Sequence, residues 1–257
     1  MEAETATTRR TVLGAHGVRL AAKKRPIDAV IREGEIVGLA GLEGQGQLRF
    51  LKALCGLFTP VEGRVDAHLP DGKIVPITNL HRAAKAGVAY LPGERKTEGI
   101  LPVLSVLDNF GIGTLPQHAR AGFLNKRLLR QRLETYRERL SMVYASSNAL
   151  ITSLSGGNQQ KVLLARWLAA SPRVLLLNDP TRGVDMATKL KLYDTFRATA
   201  TEDGVALVLL STEIEEFLTL CDRTFVFRED AVFVELDRPA TTRAGILAAM
   251  FGRSDGN

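Results

Sequence analysis

Leu154-Ser155-Gly156-Gly157-Asn158-Gln159-Gln160-Lys161 opens an apolar-periodic run, Val162 to Ala170, and Val174-Leu175-Leu176-Leu177-Asn178-Asp179-Pro180-Thr181-Arg182-Gly183-Val184-Asp185 follows almost directly. The first part reads as a helix start. Ser155 offers a hydroxyl, while Gly156 and Gly157 let backbone N–H groups come close to an anion. An ordinary Ser-capped helix with a Gly-Gly entry would look the same. The second part is an apolar strand that ends in two polar residues before a proline. Nucleotide-handling sites hold Mg²⁺ and a carboxylate at such strand ends, although a plain strand-and-turn has the same letters.

Upstream lies a third element. The apolar strand Glu35 to Ala40 runs into Gly41-Leu42-Glu43-Gly44-Gln45-Gly46-Gln47-Leu48, and a helical stretch continues to about Cys55. A phosphate-binding loop occupies this strand-to-helix position and normally reads G-x-x-x-x-G-K-[ST]. Its glycines let N–H groups converge on phosphate oxygens, and the helix N-terminus adds partial positive charge. Here Gly41, Gly44 and Gly46 are in place, but Gln47 replaces the lysine and Leu48 the hydroxyl residue. Alone, this is equally a structural turn. Three such elements in this order are hard to produce by chance.

Around these anchors the chain alternates. Strands are expected at Gly87–Leu91, Val174–Leu177, Val205–Leu210, Thr224–Phe227 and Ala231–Leu236. Helices are expected at His81–Ala86, Gly156–Ala170, Ala187–Ala198 and Ile214–Leu220. Thr11–Val30 is strand-like and broken by Gly14, Gly17 and Pro26; Gly63–Ile77 reads as strand and turn, with Pro70-Asp71-Gly72 as the turn signal. Leu104–Tyr144 reads as helical. The fold class is α/β: a mostly parallel sheet covered by helices, with an N-terminal antiparallel β subdomain and a helical subdomain.

Composition narrows the function. The 257 residues are 45% hydrophobic and 24% charged, ordinary for a globular chain. The longest apolar runs fall far short of the ~20 residues of a membrane span. No charged-then-apolar leader opens the chain, so secretion is not expected. Cys55 and Cys221 stand apart, and His16, His68, His81 and His118 are scattered, so no metal or disulfide framework is read. Part of the net charge of +6 gathers between Arg120 and Arg139. There Lys126, Arg127, Arg130, Arg132, Arg137 and Arg139 surround an apolar side of Leu128, Leu129, Leu133, Tyr136 and Leu140. This is a solvated helix face or a contact with an acidic partner. It lacks the aromatic interleaving of a nucleic-acid binder, and none is expected as a partner.

The sequence resembles ATP-binding-cassette (ABC) ATPases, specifically the second half of the tandem ATP-binding proteins of ribose- and xylose-type monosaccharide importers. The resemblance rests on Leu154–Lys161, Pro92-Gly93-Glu94-Arg95-Lys96-Thr97-Glu98-Gly99 and Asp179–Asp185, and extends from about Leu13 to Gly252. It implies a P-loop NTPase-type core. Residues 1–10 would be a loose N-terminus and 11–257 a single cassette, with a core lobe of about 11–92 and 166–257 and a helical lobe of about 93–165. It also implies head-to-tail pairing of two cassettes, each ATP with its Mg²⁺ lying between the phosphate loop of one and the signature of the other. A permease in the membrane, and indirectly a periplasmic or lipoprotein sugar-binding protein, complete the assembly. The chain would be cytoplasmic, on the inner face of the plasma membrane. Such proteins normally carry two cassettes, and this sequence holds one.

Judged against that pattern, the chain has two unequal halves. As owner of a phosphate loop (Gly41, Gly44, Gln45, Gly46, Gln47, Leu48) it lacks lysine and hydroxyl. Asn178 stands where the metal-associated aspartate belongs. Asp179 holds the general-base position one methylene short of glutamate, Thr212 takes the place of the switch histidine, and Gly93 falls near that of a glutamine. Nucleotide would be held weakly there. As donor of a signature, Ser155, Gly156, Gly157 and Asn158 match, and Asp185 lies in the loop that joins two such sites. The resemblance therefore implies a cassette that completes a partner's ATP site. A nucleoside importer subunit, a homodimeric ATPase using Asp179, and a regulatory module without a permease are the rival readings.

Overall fold

The computed structural model describes residues 9–114, 119–120 and 123–253, and two compact units are resolved in it. One runs up to Tyr90 and includes Arg173–Asp179 and the chain from Arg197 onward; the other comprises Leu91–Pro172 and Pro180–Phe196.

The first unit is built on two sheets. Strands β1 (Thr11–Arg19), β2 (Ile27–Arg32), β4 (Glu62–His68) and β5 (Ile74–Pro76) form an antiparallel sheet in the order β2-β1-β4-β5. Gly14 and Gly17 do not break β1 as expected. A register shift between Ala15 and Val18 absorbs Gly17, a bulge that keeps the strand paired on both sides. The Pro70-Asp71-Gly72 turn forms, with Gly72 N–H donating to Leu69 O at 3.0 Å.

The second sheet has the order β12-β11-β3-β10-β9-β6: β3 (Ile36–Gly41), β6 (Val88–Leu91), β9 (Val174–Asn178), β10 (Ala206–Leu210), β11 (Arg223–Arg228) and β12 (Ala231–Asp237). Strands β11, β3, β10 and β9 are mutually parallel, and β12 closes one edge antiparallel. β9 and β10 are buried along their length, which explains their unbroken runs of Leu and Val. Helix α1 (Gln47–Leu54) presents Phe50, Leu51 and Leu54 to a core shared with Val12, Leu13, Ile31, Leu39, Leu176, Val208 and Phe227. The Phe50 and Phe227 rings lie 5.4 Å apart. Helices α2 (Leu80–Lys85), α7 (Ile214–Leu220) and α8 (Arg243–Met250) belong to the same unit.

The second unit contains α3 (Val106–Gly111), α4 (Lys126–Arg139), α5 (Gly156–Leu168) and the first part of α6 (Met186–Thr201). Leu104–Tyr144 is not helical throughout. α3 passes into a 3₁₀ turn, Ile112–Thr114, and a two-stranded pairing, β7 (Ala119–Arg120) with β8 (Phe123–Leu124), precedes α4. Asn125 stops the chain entering a helix earlier, because its side chain accepts from Leu128 N–H and caps α4. Leu129, Leu133 and Leu140 are buried as expected, whereas Leu128 is exposed. Leu128 follows Arg127 on the outward side, so the apolar stripe is one residue narrower than its letters suggest. Of the N-terminal residues expected to be loose, 1–8 lie outside the described residues. Arg9 donates to Gly34 O and pairs with Asp222, and Arg10 O accepts from Glu33 N–H.

Candidate nucleotide site and signature helix

The carboxyl ends of β3, β9 and β10 lie side by side, with Leu210 in register with both Leu39 and Asn178. Ligands of parallel sheets bind beyond such ends. β3 delivers Gly41, β9 delivers Asn178 and Asp179, and β10 leads into Ser211 and Thr212. The parallel pairing thus gathers residues more than 160 positions apart in sequence.

The loop from Gly41 to Gly46 turns through Gln45 N–H donating to Leu42 O at 3.2 Å. Gly46 caps α1 with φ 107°, and no side chain caps the helix. A Cβ at Gly46 would fall 2.8 Å from Asp230 Cα, so glycine is required by both conformation and space. Gly44 also has a positive φ, but nothing lies within 4 Å of its Cβ position, which leaves the loop open there.

Gln47 is buried, and its amide fills the inside of the turn. Its Nε2 donates to Gly41 O at 3.2 Å and Leu42 O at 2.8 Å, while Oε1 is buried without a partner. The Gln47 side chain therefore brings no charge and turns its donors back on its own loop. Leu48, next to it, is 40% exposed and offers no oxygen to a cation.

A second clamp was invisible in the sequence. The turn between β11 and β12 holds the loop from outside: Asp230 N–H donates to Gln45 O at 2.9 Å, Glu229 N–H donates to Gln45 Oε1 at 2.7 Å, and Arg49 pairs with Asp230. The partners are about 180 residues away, and only the consecutive polar residues Glu229-Asp230 marked the turn.

Asn178 Nδ2 donates to Tyr90 Oη at 3.4 Å. Asp179 adopts φ 43°, a left-handed conformation that costs a non-glycine residue roughly 1–3 kcal/mol. It is held there by its N–H donating to Leu210 O at 2.8 Å and by one carboxylate oxygen, which accepts from Thr212 N–H at 2.9 Å and Thr212 Oγ1 at 3.4 Å. Asp179 and Thr212 thus bond each other directly. Among the described residues, no group of three or more His, Cys, Asp or Glu side chains is arranged to hold a metal ion. For Mg²⁺ the donor set is poor: an amide at Asn178, a carbon side chain at Leu48, and one carboxylate, Asp179.

In the other unit, Ser155 caps α5. Its Oγ accepts from Asn158 N–H at 3.4 Å and from Asn158 Nδ2 at 3.0 Å, and Asn158 Oδ1 accepts from Val143 N–H at 2.7 Å. Ser155 is exposed and Gly157 is buried. A Cβ at Gly157 would meet Thr188 Cγ2 at 3.2 Å, a tight contact that the threonine side chain would have to yield to. Gln160 Nε2 donates to Pro180 O at 2.7 Å and Lys161 Nζ to Ser141 O at 2.9 Å, so the residues after Asn158 fasten the helix rather than face solvent. Arg95 Nη2 stands 3.0 Å from the Cβ position of Gly156, and burial holds its guanidinium below the usual arginine range. Asp185 accepts from Thr188 N–H at 2.9 Å, and this bond lowers its carboxyl below the usual range and caps α6.

The ABC transporter family matches residues 25–182, more than half of the chain and inclusive of the Gly-rich loop, the Ser155 helix start and the end of β9. The chain belongs to the ABC transporter family. The cassette is 37% identical over 241 residues to a ribose import ATP-binding protein of Rubrobacter xylanophilus, covering 94% of this chain and 46% of that protein. It is also 37% identical over 224 residues to one of Streptomyces avermitilis, covering 87% and 44%. It thus spans about half the length of the curated relatives it matches. Its fold matches the dimeric ATP-binding cassette MJ0796 bound to ADP and Pi, with a TM-score of 0.73 at 22% identity, over 88% of this chain and 98% of that one. It matches cbiO1 of Clostridium perfringens with a TM-score of 0.73 at 19% identity, over 93% of each chain. No helix among the described residues is long and apolar enough to cross a membrane.

Proposed function

We propose that the cassette serves a bacterial monosaccharide importer by completing the ATP site of a second cassette, and that its own phosphate loop holds Mg·ATP weakly and turns it over very slowly. The observation that carries this reading is an asymmetry of donors. The start of α5 offers Ser155, exposed and positioned by Asn158, at the positive end of a helix that begins with Gly156-Gly157. The loop before α1 offers no cation at position 47, and the Gln47 amide is committed to Gly41 O and Leu42 O.

The chemistry supplied by ATP with Mg²⁺ at the partner's loop is attack of water on the γ-phosphate. In that reaction Ser155, Gly156 and Gly157 would receive phosphate oxygens, Asn158 would hold Ser155, and Asp185 would order the loop before α6. At its own loop, Gly41, Gly44, Gln45 and Gly46 keep a backbone cradle. Asp179, with Thr212 on its carboxylate, is the side chain that would orient a water. The likeness to ribose import proteins supports a sugar as cargo, and the segment Pro92–Val106 is assigned to the permease. Cytoplasmic residence against the inner membrane follows from these partners. The homodimeric ATPase is tested by Mg²⁺-dependent phosphate release from the pure protein that vanishes in Asp179→Ala.

Ser155→Arg tests the trans role. In the transporter assembled with its partner cassette, this variant should abolish ATP turnover and transport, since a long side chain fills the anion site. Unchanged transport would refute the role.

A further inference from the structure

Behind the start of α5, a buried cation joins this helix to an exposed apolar loop. Arg166, on the last turns of α5, is only 6% exposed. Its Nε donates to Asn109 O at 2.6 Å, Nη1 to Gly99 O at 2.7 Å and Nη2 to Asn109 Oδ1 at 3.0 Å. Burial pushes this guanidinium down to about 10.

Asn109 in α3 is fully buried and relays the contact. Its Nδ2 donates to Leu101 O at 3.0 Å, Leu104 O at 3.3 Å and Ser105 O at 3.0 Å, and its Oδ1 also accepts from Leu101 N–H at 2.9 Å. Five bonds thus hold the backbone of residues 99–105, one from Arg166 and four through Asn109, which Arg166 itself bonds twice. What this mount displays is apolar: Val103 is 81% exposed and Leu101 42%. Leu101, Pro102 and Val103 are exposed side by side, a contiguous apolar stretch of the kind that marks a contact surface.

We propose that Arg166, through Asn109, is the positioning residue that makes the 99–105 loop move as one piece with the signature helix, so that engagement of Ser155 is transmitted to the permease. The proposal rests on the reading that Pro92–Val106 faces the permease. Its physical basis is short, charge-assisted hydrogen bonds with little slack. A displacement of α5 by an ångström would break them unless the loop followed.

The test uses Asn109→Asp, which keeps the size of the side chain and leaves Arg166 a carboxylate, but loses the three bonds donated by Nδ2. In the isolated chain, exchange of the Leu101 and Leu104 amides should quicken at least about tenfold, with the Ser155 helix start unchanged. In membranes containing the assembled transporter, uptake of labelled ribose or galactose per ATP hydrolysed should fall about tenfold while the complex still co-purifies. Arg166→Lys, which keeps the charge without the fork, should show a smaller fall in the same ratio. Faster exchange with an unchanged ratio of uptake to hydrolysis would overturn the proposal, and so would unchanged exchange. Val103→Asp separates it from the underlying reading: if that variant assembles and transports normally, the permease assignment itself fails, whatever Arg166 does.

Discussion

Replacing Gln47 with lysine restores one charge to the phosphate loop, and the structure sets the size of the effect. The amide now makes two bonds to loop carbonyls, at 3.2 and 2.8 Å, each worth about 1 kcal/mol net. A lysine ammonium can satisfy the same carbonyls in the empty loop, so this contribution nearly cancels between the two proteins. The difference is the charge-assisted contact with phosphate, roughly 1.5–3 kcal/mol, or about a tenfold to hundredfold tightening of ATP binding. Gln47→Ala is the control, since it empties the turn without adding charge and should gain little. Adding Leu48→Ser and Asn178→Asp to the lysine variant should make binding depend on Mg²⁺, because a hydroxyl and a carboxylate then face the cation. Isothermal titration with ATP, with and without Mg²⁺, reads all four proteins. If Gln47→Lys binds no tighter than Gln47→Ala, the missing charge is not what weakens this loop.

Ser155→Ala removes the cap of α5 and should cost about 1 kcal/mol, seen as a small fall in melting temperature, with Ser155→Asn close to the parent. Arg223 bonds Glu35 at 2.7 Å and Glu235 at 2.5 Å, and Glu35 is buried. Arg223→Met should therefore cost about 3 kcal/mol in denaturant melts, and the double variant with Glu35→Leu should recover part of it. Burial raises the Cys55 thiol from 9.0 to about 11 and drives Cys221 still higher. Above pH 9 the unfolded chain loses thiol protons that the folded chain keeps, so stability present below pH 9 should decline as pH rises. Cys55→Ala with Cys221→Ala should flatten the melting temperature between pH 9 and 10. A decline of equal slope in that variant would remove the thiols from the account.

The fold was legible because its signals are local. Val174–Leu177 and Val205–Leu210 are short unbroken apolar runs that suit doubly covered strands, and the Gly-rich turn between β3 and α1 lets strand meet helix. The helix start at Ser155 was equally plain, since a cap and its N–H partner lie three residues apart. What escaped detection depends on distance. Gln47 reads as a missing charge, but its bonding to Gly41 O and Leu42 O is a property of the closed turn. The clamp from Glu229 and Asp230 needs the β11–β12 turn brought beside Gln45. Arg166 lies within the apolar-periodic run after Ser155, and its three uncharged acceptors on Asn109 and Gly99 come from 57 and 67 residues away. The pairing of β7 with β8 was lost within a stretch whose apolar spacing suits a helix.

The central claim is that this chain's own loop has lost its grip on Mg·ATP while its signature helix remains competent. Equilibrium dialysis of labelled ATP against the isolated chain, in Mg²⁺ and in EDTA, addresses it most directly. The account predicts a dissociation constant of about a millimolar or weaker, alike in both buffers, with negligible phosphate release. Micromolar binding that collapses in EDTA, accompanied by steady hydrolysis, would contradict it.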